Sequence, residues 1–172
     1  MNKLKISLFI LLASLALVSC VKNEEAIYSG AQVEFDATTW NANAAGVTYP
    51  ILTRVPPFAR AVNTTVDSTL NKTRGTIKIR VNLVGPQKST PTEVTYQVLQ
   101  SATTAVSGTH YAALPGKVTI PANASFGDIE LQLINNPGST PPSVDLVLEL
   151  TGANNGVTVN PNYNRVGLRI AQ

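Results

Sequence analysis

The fold of this chain is constrained most by an alternation of apolar and polar residues that repeats at every second position. In residues 76–84 (TIKIRVNLV) the odd-numbered positions carry Ile, Val or Leu, and Lys78, Arg80 and Asn82 lie between them. Such alternation is typical of a β-strand with one buried and one solvated face. The pattern recurs at 93–100 (EVTYQVLQ), 128–134 (DIELQLI), 143–152 (SVDLVLELTG) and 165–170 (RVGLRI), and in shorter form at 117–120 (KVTI).

Turn-forming segments rich in Pro, Gly and Asn separate these strands, as in 85–91 (GPQKSTP) and 135–142 (NNPGSTPP). No window of helical length carries an apolar stripe at i, i+3 and i+4, so helices are not expected. Further strands are indicated at 31–35 (AQVEF) and at 46–55 (GVTYPILTRV), the latter bent at Pro50. We therefore predict an all-β protein in which residues 29–172 form a single antiparallel β-sandwich domain.

The first twenty residues have the organisation of a secretory signal peptide. Lys3 and Lys5 form a basic start, and residues 6–18 are apolar apart from two serines. This run is shorter than the ~20 residues that a membrane-spanning helix needs. Residues 17–20 (LVSC) resemble the lipobox of bacterial lipoproteins, in which the cysteine receives diacylglycerol and the leader is removed.

That resemblance implies that Cys20, the only cysteine of the chain, is the lipid-attachment residue and carries acyl chains such as palmitate. Residues 1–19 are then a lipoprotein signal peptide and residues 20–28 an acylated tether. Two or more acyl chains hold a protein stably at a bilayer. Glu24 and Glu25 resemble the acidic export signal of surface lipoproteins in Bacteroidota-type bacteria. We expect an outer-membrane lipoprotein of the cell envelope, with the membrane as a partner and display on the cell surface.

Residues 103–135 are the most distinctive stretch after the leader. They resemble the core of Calx-β domains, which contain a Gly-Thr-Asp-Tyr-like turn, a glycine before a strand and an apolar-Pro step. The chain also resembles lipoprotein domains of unknown function from Bacteroidota-type bacteria. Both resemblances imply an immunoglobulin-like β-sandwich. The matching residues are Gly108-Thr109-His110-Tyr111, Gly116, Ile120-Pro121 and 128–134, and, for the lipoprotein domains, Phe35, Tyr49, Arg54 and Pro161-Asn162-Tyr163.

The sequence departs from the resemblance where a metal would bind. Calcium prefers six to eight oxygen ligands, several of them charged, and Calx-β domains that bind it supply clustered carboxylates. Here His110 occupies the turn position where related domains often carry aspartate, and Asn135 and Asn136 follow the strand. We therefore expect no metal and no other cofactor, with a weak calcium site built from carbonyl oxygens as the alternative.

Residue types that catalysis requires are scarce. His110 is the only histidine, and the chain has no G-x-S-x-G turn. We interpret His110 as a turn residue whose ring bonds to nearby backbone. Three glutamates occupy polar positions of the predicted strands: Glu93, Glu130 and Glu149. A solvated sheet face explains their presence there without a catalytic role. We therefore predict that the protein is not an enzyme. The alternative is a small hydrolase with a dispersed carboxylate site, which would need two carboxyl groups facing a cleft.

Composition also bears on the partner. The formal net charge is +3, and it falls towards neutrality when Lys3 and Lys5 leave with the leader. Since no basic cluster is interleaved with aromatic residues, nucleic acid is not expected as a partner. We predict an accessory, adhesive or ligand-binding module whose partner is a glycan or an envelope protein. A structural subunit of an outer-membrane nutrient-capture complex is a further alternative.

The candidate ligand contact lies in the polar segment 36–46 (DATTWNANAAG). An exposed Trp40 would stack on a sugar ring, while Asn41 and Asn43 would supply amide hydrogen bonds. The competing interpretation is that Trp40 packs on the edge of the sandwich or plugs its end, which we favour because large aromatic side chains are highly buried on average. Residues 53–60 (TRVPPFAR) predict an exposed, extended loop that includes Phe58.

Overall fold

The computed structural model describes residues 30–138 and 142–172. The expected signal peptide (1–19), the acylated tether (20–28) and the lipid-attachment residue Cys20 lie outside the described residues. Within the two described ranges, no helix has the length and apolar character needed to cross a membrane.

Nine strands account for most of the regular structure in the described ranges. One short helix, α1 (Asp36–Trp40), follows the first strand, and single 3-10 turns occupy Lys72–Arg74 and Gln100–Ala102. The strands are β1 (Gln32–Phe35), β2 (Ile51–Leu52), β3 (Thr76–Val84), β4 (Thr92–Val98), β5 (Lys117–Ile120), β6 (Phe126–Gln132), β7 (Ser143–Ala153), β8 (Thr158–Val159) and β9 (Arg165–Ala171).

The strands form two sheets. Sheet A has the order β6–β3–β1–β8, and sheet B has the order β2–β9–β7–β4–β5. Pairing is antiparallel except at two short edges, where β8 joins β1 and β2 joins β9 in parallel. The longest ladder of sheet A runs from the Thr76–Gln132 pair to the Asn82–Phe126 pair. Because β2 and β8 have only two residues each, they leave short edges that offer little backbone for pairing with another chain.

The inward side chains of both sheets fill one apolar interior. Ile79 of β3, Leu131 of β6, Leu146 of β7 and Leu168 of β9 are fully buried. Each such side chain stabilises the fold by about 1.5–3 kcal/mol relative to an exposed one. The buried positions alternate along β3, β4 and β6 as the sequence predicts, and along β9 except at Gly167, which is buried as well. The predicted all-β sandwich is therefore confirmed.

The structure departs from the sequence prediction in three elements and at one residue. Helix α1 and strand β8 were not predicted, and the segment 46–55 yields only the two residues of β2. Val147 was predicted on the polar face of β7 but is 1% exposed. Its register partner is Gly167, and a Cβ on Gly167 would lie 2.9 Å from Cγ1 of Ile51. The Ile51 side chain therefore covers the outer face of sheet B beside Val147.

The two sheets approach each other closely at one edge, where β5 of sheet B leads into β6 of sheet A. A Cβ on Gly127 of β6 would lie only 2.6 Å from the carbonyl oxygen of Thr119 on β5. Contacts that short do not occur between real side chains and backbone, so a glycine is required at this position. The close approach lets a short turn pass the chain from one sheet to the other.

Candidate functional site

Helix α1 begins where β1 ends, and its first residue is a buried aspartate. The Thr38 hydroxyl donates to the carbonyl of Arg165 at 2.7 Å, which fixes the helix against the start of β9. Asp36 is 3% exposed. A buried carboxylate is tolerated only when hydrogen bonds replace its water, and the contacts of Asp36 meet that requirement.

Three donors from three separate segments bond to the Asp36 carboxylate. The indole Nε1 of Trp40 and the Nδ2 of Asn82 donate to Oδ1, at 3.2 and 2.8 Å. The backbone N–H of Ala59 donates to Oδ2 at 2.8 Å. Asp36 therefore joins helix α1, the outward face of β3 and the connection between β2 and β3, which we call the β2–β3 loop (residues 53–75).

The β2–β3 loop crosses from one sheet to the other. Its base belongs to sheet B, because the Ala171 N–H of β9 donates to the carbonyl of Leu70 at 3.0 Å. Its tip reaches the outer face of sheet A through Ala59 and Asp36. Phe58, beside Ala59, is 38% exposed, in agreement with the predicted exposed loop.

Trp40 is 49% exposed, so our preference for a Trp40 packed on the sandwich edge was wrong. Its indole N–H is held by Asp36, which leaves ring surface available to solvent. Asn41 is engaged internally, since its Nδ2 donates to the carbonyl of Ala37 at 2.7 Å and its Oδ1 accepts from the Val62 N–H at 3.1 Å. Asn43 is exposed. Asn41 thus fixes the loop, while Trp40 and Asn43 face solvent.

Two further exposed rings enclose an arginine on the same face of sheet A. The guanidinium carbon of Arg80 lies 3.8 Å from the ring centroid of Phe58 and 3.6 Å from that of Phe126. The Nε of Arg80 also contacts Oδ1 of Asp128 at 3.2 Å. Cation–π contacts contribute about 0.5–2 kcal/mol each, depending on desolvation. The charge of Arg80 therefore holds the two phenyl rings at a fixed spacing.

These contacts place three exposed aromatic rings on one surface. Trp40 and Asn82 share the Asp36 carboxylate, and Asn82 is the register partner of Phe126. We call Trp40, Phe58, Arg80 and Phe126 the aromatic patch. Tyr163, 37% exposed, lies on its flank, since its carbonyl accepts the Phe35 N–H just before Asp36. Among the described residues, Trp40, Phe58 and Phe126 therefore share one face, and Tyr163 is the fourth exposed aromatic residue.

A second carboxylate, that of Glu34, lies beneath this surface. Glu34 is 8% exposed, and Nδ2 of Asn160 donates to its Oε2 at 2.9 Å. Burial raises the pKa of Glu34, the Asn160 hydrogen bond lowers that pKa, and the nearby negative charge of Asp36 raises it further. The site therefore has a densely hydrogen-bonded polar base below its exposed rings.

The residues considered for catalysis do not come together. The interpretation of His110 as a turn residue is confirmed, because the Val106 N–H donates to its Nδ1 at 2.8 Å and its side chain is buried. Glu93 contacts Lys117 at 2.9 Å, and Glu149 contacts Arg165 at 2.6 Å. Glu130 lies 4.0 Å from Lys78. Each of the three glutamates thus faces a cation on an outward surface.

No group of three or more His, Cys, Asp or Glu side chains within residues 30–138 and 142–172 is arranged to hold a metal ion. The Gly108 turn of the Calx-β resemblance is present, with Gly108 at φ +80°. Backbone hydrogen bonds join this turn to the end of β6 and the residues after it: the Ala112 N–H donates to the carbonyl of Gln132 at 2.9 Å, and the Ile134 N–H donates to the carbonyl of His110 at 3.0 Å.

Sequence patterns indicated Trp40 but not most of its neighbours. Asp36, Arg80 and Asn82 looked like ordinary solvated residues, and Phe126 was not assigned to a face. One signal was present: Phe126 precedes an inward glycine and so takes an outward position in its strand, where an aromatic residue is unexpected. A large ring at an outward strand position is a reason to look for a surface site.

Comparison with known proteins gives structural likenesses of low sequence identity. The CBD12 structure from CALX1.2 matches with TM-score 0.49 and 18% identity, over 59% of this chain and 39% of that one. The apo form of the Calx CBD1 domain matches with TM-score 0.48 and 18% identity, over 60% of this chain and 88% of that one. A two-domain protein of unknown function from Bacteroides fragilis matches with TM-score 0.49 and 8% identity, over 83% of this chain and 45% of that one.

Comparison with curated proteins finds no match. A family model described as a domain of unknown function (DUF4843) matches residues 61–170. That segment includes Arg80, Asn82 and Phe126 of the surface described above, whereas Asp36, Trp40 and Phe58 precede it. The description of that family names no activity, and the β-sandwich is compatible with a non-catalytic module. The chain belongs to the DUF4843 family.

Proposed function

We propose that this protein is a non-catalytic module that binds glycans on the aromatic patch. The observation that carries the proposal is the buried Asp36 carboxylate, which ties together the segments that present Trp40 and Phe58 and strand β3, whose Asn82 is the register partner of Phe126. Rings held in place before binding lose little conformational freedom when a ligand arrives, and this preorganisation favours affinity. The pairing of Arg80 with Phe58 and Phe126 has the same consequence.

A glycan fits this surface better than an apolar partner does. The exposed rings of Trp40 and Phe126 are separated by polar groups, including the Asn82 amide and the Arg80 guanidinium. Sugar rings combine C–H faces that stack on aromatic side chains with hydroxyl groups that need hydrogen-bonding partners. Ligand sites are generally apolar surfaces with a few well-placed polar groups. Asn43, exposed three residues after Trp40, carries a further amide.

Binding of defined polysaccharides, measured by isothermal titration calorimetry with the purified protein, tests this proposal. Trp40→Ala and Phe58→Ala should each weaken binding at least tenfold. Val106→Ala is the matched control, because Val106 is 53% exposed but belongs to the His110 turn. The proposal fails if a broad glycan array shows no binding, or if the Val106 variant loses as much affinity as the other two.

We also propose that the module is attached to the outer membrane through lipid on Cys20 and is displayed at the cell surface. The lipobox-like residues 17–20 and the acidic residues Glu24 and Glu25 support this placement. In cells fed radiolabelled palmitate, the wild-type protein should carry label and sediment with membranes, whereas Cys20→Ser should do neither. Protease treatment of intact cells should remove the wild-type protein; full protection would exclude surface display.

A further inference from the structure

A groove of about 530 Å³ lies beside the aromatic patch, between the β2–β3 loop and the first residues of β3. Its apolar lining residues include Val55, Pro57 and Val66, the last of which is 75% exposed. This volume falls within the range of about 300–1,000 Å³ that small-molecule sites occupy. The groove is therefore large enough to receive part of a ligand rather than a single ion.

The charged residues of the groove are mostly cations. Arg60, Arg74 and Lys78 line it together with one carboxylate, Asp67. Arg60 and Asp67 neutralise each other, since Nη1 of Arg60 donates to Oδ2 of Asp67 at 2.8 Å. The hydrogen bond from Arg60 is the main reason that the pKa of Asp67 falls to about 2, with a further contribution from the backbone of Asn63. This pair therefore stays ionised and has no net charge. Arg74 and Lys78 are the lining cations that remain to bind an anionic ligand.

Arg74 and Lys78 are both placed to meet an anion. The Nε of Arg74 donates to the carbonyl of Thr69 at 2.9 Å, which orients the guanidinium while its terminal amino groups remain for another partner. The Lys78 side chain is 53% exposed, and its amino group lies 3.9 Å from Asp128 and 4.0 Å from Glu130. Both distances are longer than a hydrogen bond, so these exposed ion pairs are weak. A carboxylate of a ligand can therefore replace them by forming a hydrogen bond with the Lys78 amino group.

The groove and the aromatic patch are continuous. Lys78 in the groove and Arg80 in the patch occupy successive outward positions of β3, which places their Cα atoms about 7 Å apart. Pro57 in the groove wall precedes Phe58 in the patch. An extended ligand that lies along the outer face of β3 would therefore touch both surfaces.

We propose that the groove gives the site its preference for acidic polysaccharides, with a uronate carboxylate bound by Arg74 and Lys78 while neighbouring sugar rings stack on the aromatic patch. This inference rests on the proposed glycan-binding function. An arginine binds a carboxylate through two parallel hydrogen bonds, and a lysine adds a point charge. The apolar lining residues Val55 and Val66 accommodate the C–H face of the same sugar residue.

Calorimetric titration of the purified protein with polygalacturonate and with laminarin, a neutral glucan, tests the preference. Wild-type protein should bind polygalacturonate at least tenfold more tightly than laminarin, and the difference should shrink between 50 mM and 500 mM salt because salt screens exposed charges. Arg74→Gln and Lys78→Gln should each reduce polygalacturonate affinity at least fivefold and leave laminarin binding unchanged. Both residues are exposed, so thermal unfolding of the variants should match that of the wild type.

Lys117→Gln is the matched control, because Lys117 is an exposed lysine on sheet B that contacts Glu93. An equal loss of polygalacturonate affinity in this variant would indicate general charge attraction and overturn the inference. Equal affinity for the two polymers, with binding still dependent on Phe58, would overturn the acidic preference while leaving the proposed function intact. Absence of binding to either polymer and to a broad glycan array would overturn both proposals.

Discussion

Replacement of Asp36 by asparagine should destabilise the protein by about 2–3 kcal/mol. The carboxylate accepts from Trp40, Asn82 and Ala59, and an amide of the same shape must turn its NH2 group towards at least one of these donors. One hydrogen bond to a charged group, worth about 1.5–3 kcal/mol, is then lost. The two remaining bonds weaken because their acceptor is no longer charged. Relief from burying a charge offsets part of this cost.

Trp40 allows the same variant to be followed at the site itself, because it is the only tryptophan of the chain. Urea unfolding monitored by Trp40 fluorescence gives the free energy of unfolding. The emission maximum of the folded Asp36→Asn protein should also shift to longer wavelength, since the indole loses its fixed partner and becomes more exposed. Far-ultraviolet circular dichroism in the same titration establishes whether the sheets unfold together with the site.

Asp145→Asn is the matched control for this substitution. Asp145 lies on sheet B, where its carboxylate receives two hydrogen bonds from Arg169 at 2.8 Å in an exposed pair. Exposed pairs of this kind contribute about 0–1 kcal/mol. If Asp36→Asn unfolds with the same free energy as Asp145→Asn and keeps the wild-type emission maximum, Asp36 does not organise the aromatic patch and the reasoning is wrong.

Three further predictions concern stability. The pKa of Glu34 is raised above its ordinary 4.5 by burial. The stability that the protonated side chain contributes is therefore present below pH 4.5 and is lost as pH rises. In urea titrations, Glu34→Gln should be more stable than wild type at pH 7, and the difference should vanish near pH 4. Gly127→Ala should cost about 1–3 kcal/mol, since its Cβ would meet the carbonyl of Thr119; unchanged thermal unfolding would contradict the close approach of β5 and β6. His110→Ala should cost about 1–2 kcal/mol by leaving the Val106 N–H without its acceptor, and a melting temperature equal to that of wild type would rule this out.

The strands could be predicted from the sequence because burial alternates with a period of two in a sheet that has one solvated face. This period can be recognised without knowing which strands pair. Ile77, Ile79 and Leu131 could therefore be assigned to the interior. Helix α1 was not predicted because five residues are too few to show an apolar stripe at helical spacing. Val147 was misplaced because its cover comes from Ile51, nearly a hundred residues earlier.

The candidate site could not be predicted for a related reason. The donors to Asp36 are separated from it by 4, 23 and 46 residues, and only the first separation is local. The stack on Arg80 joins a loop to two strands, and no periodic pattern relates Phe58 to Phe126. The position of the Trp40 ring is fixed by the bond to Asp36, which local composition does not reveal. Sequence patterns therefore located one ring but not the group that holds the rings together.

The antiparallel pairing of β1 with β3 sets the direction in which an anchored molecule would point. Gln32, close to where the described chain begins, is opposite Val84 at the last residue of β3, whereas Thr76 and Lys78 lie at its opposite end. Eight residue steps of about 3.4 Å separate Thr76 from Val84, roughly 27 Å in all. If the proposed lipid on Cys20 and the proposed surface display hold, the anchor precedes Gln32, at the Val84 end of β3. The groove lies at the other end of β3, so under those proposals it is on the side away from the point of attachment.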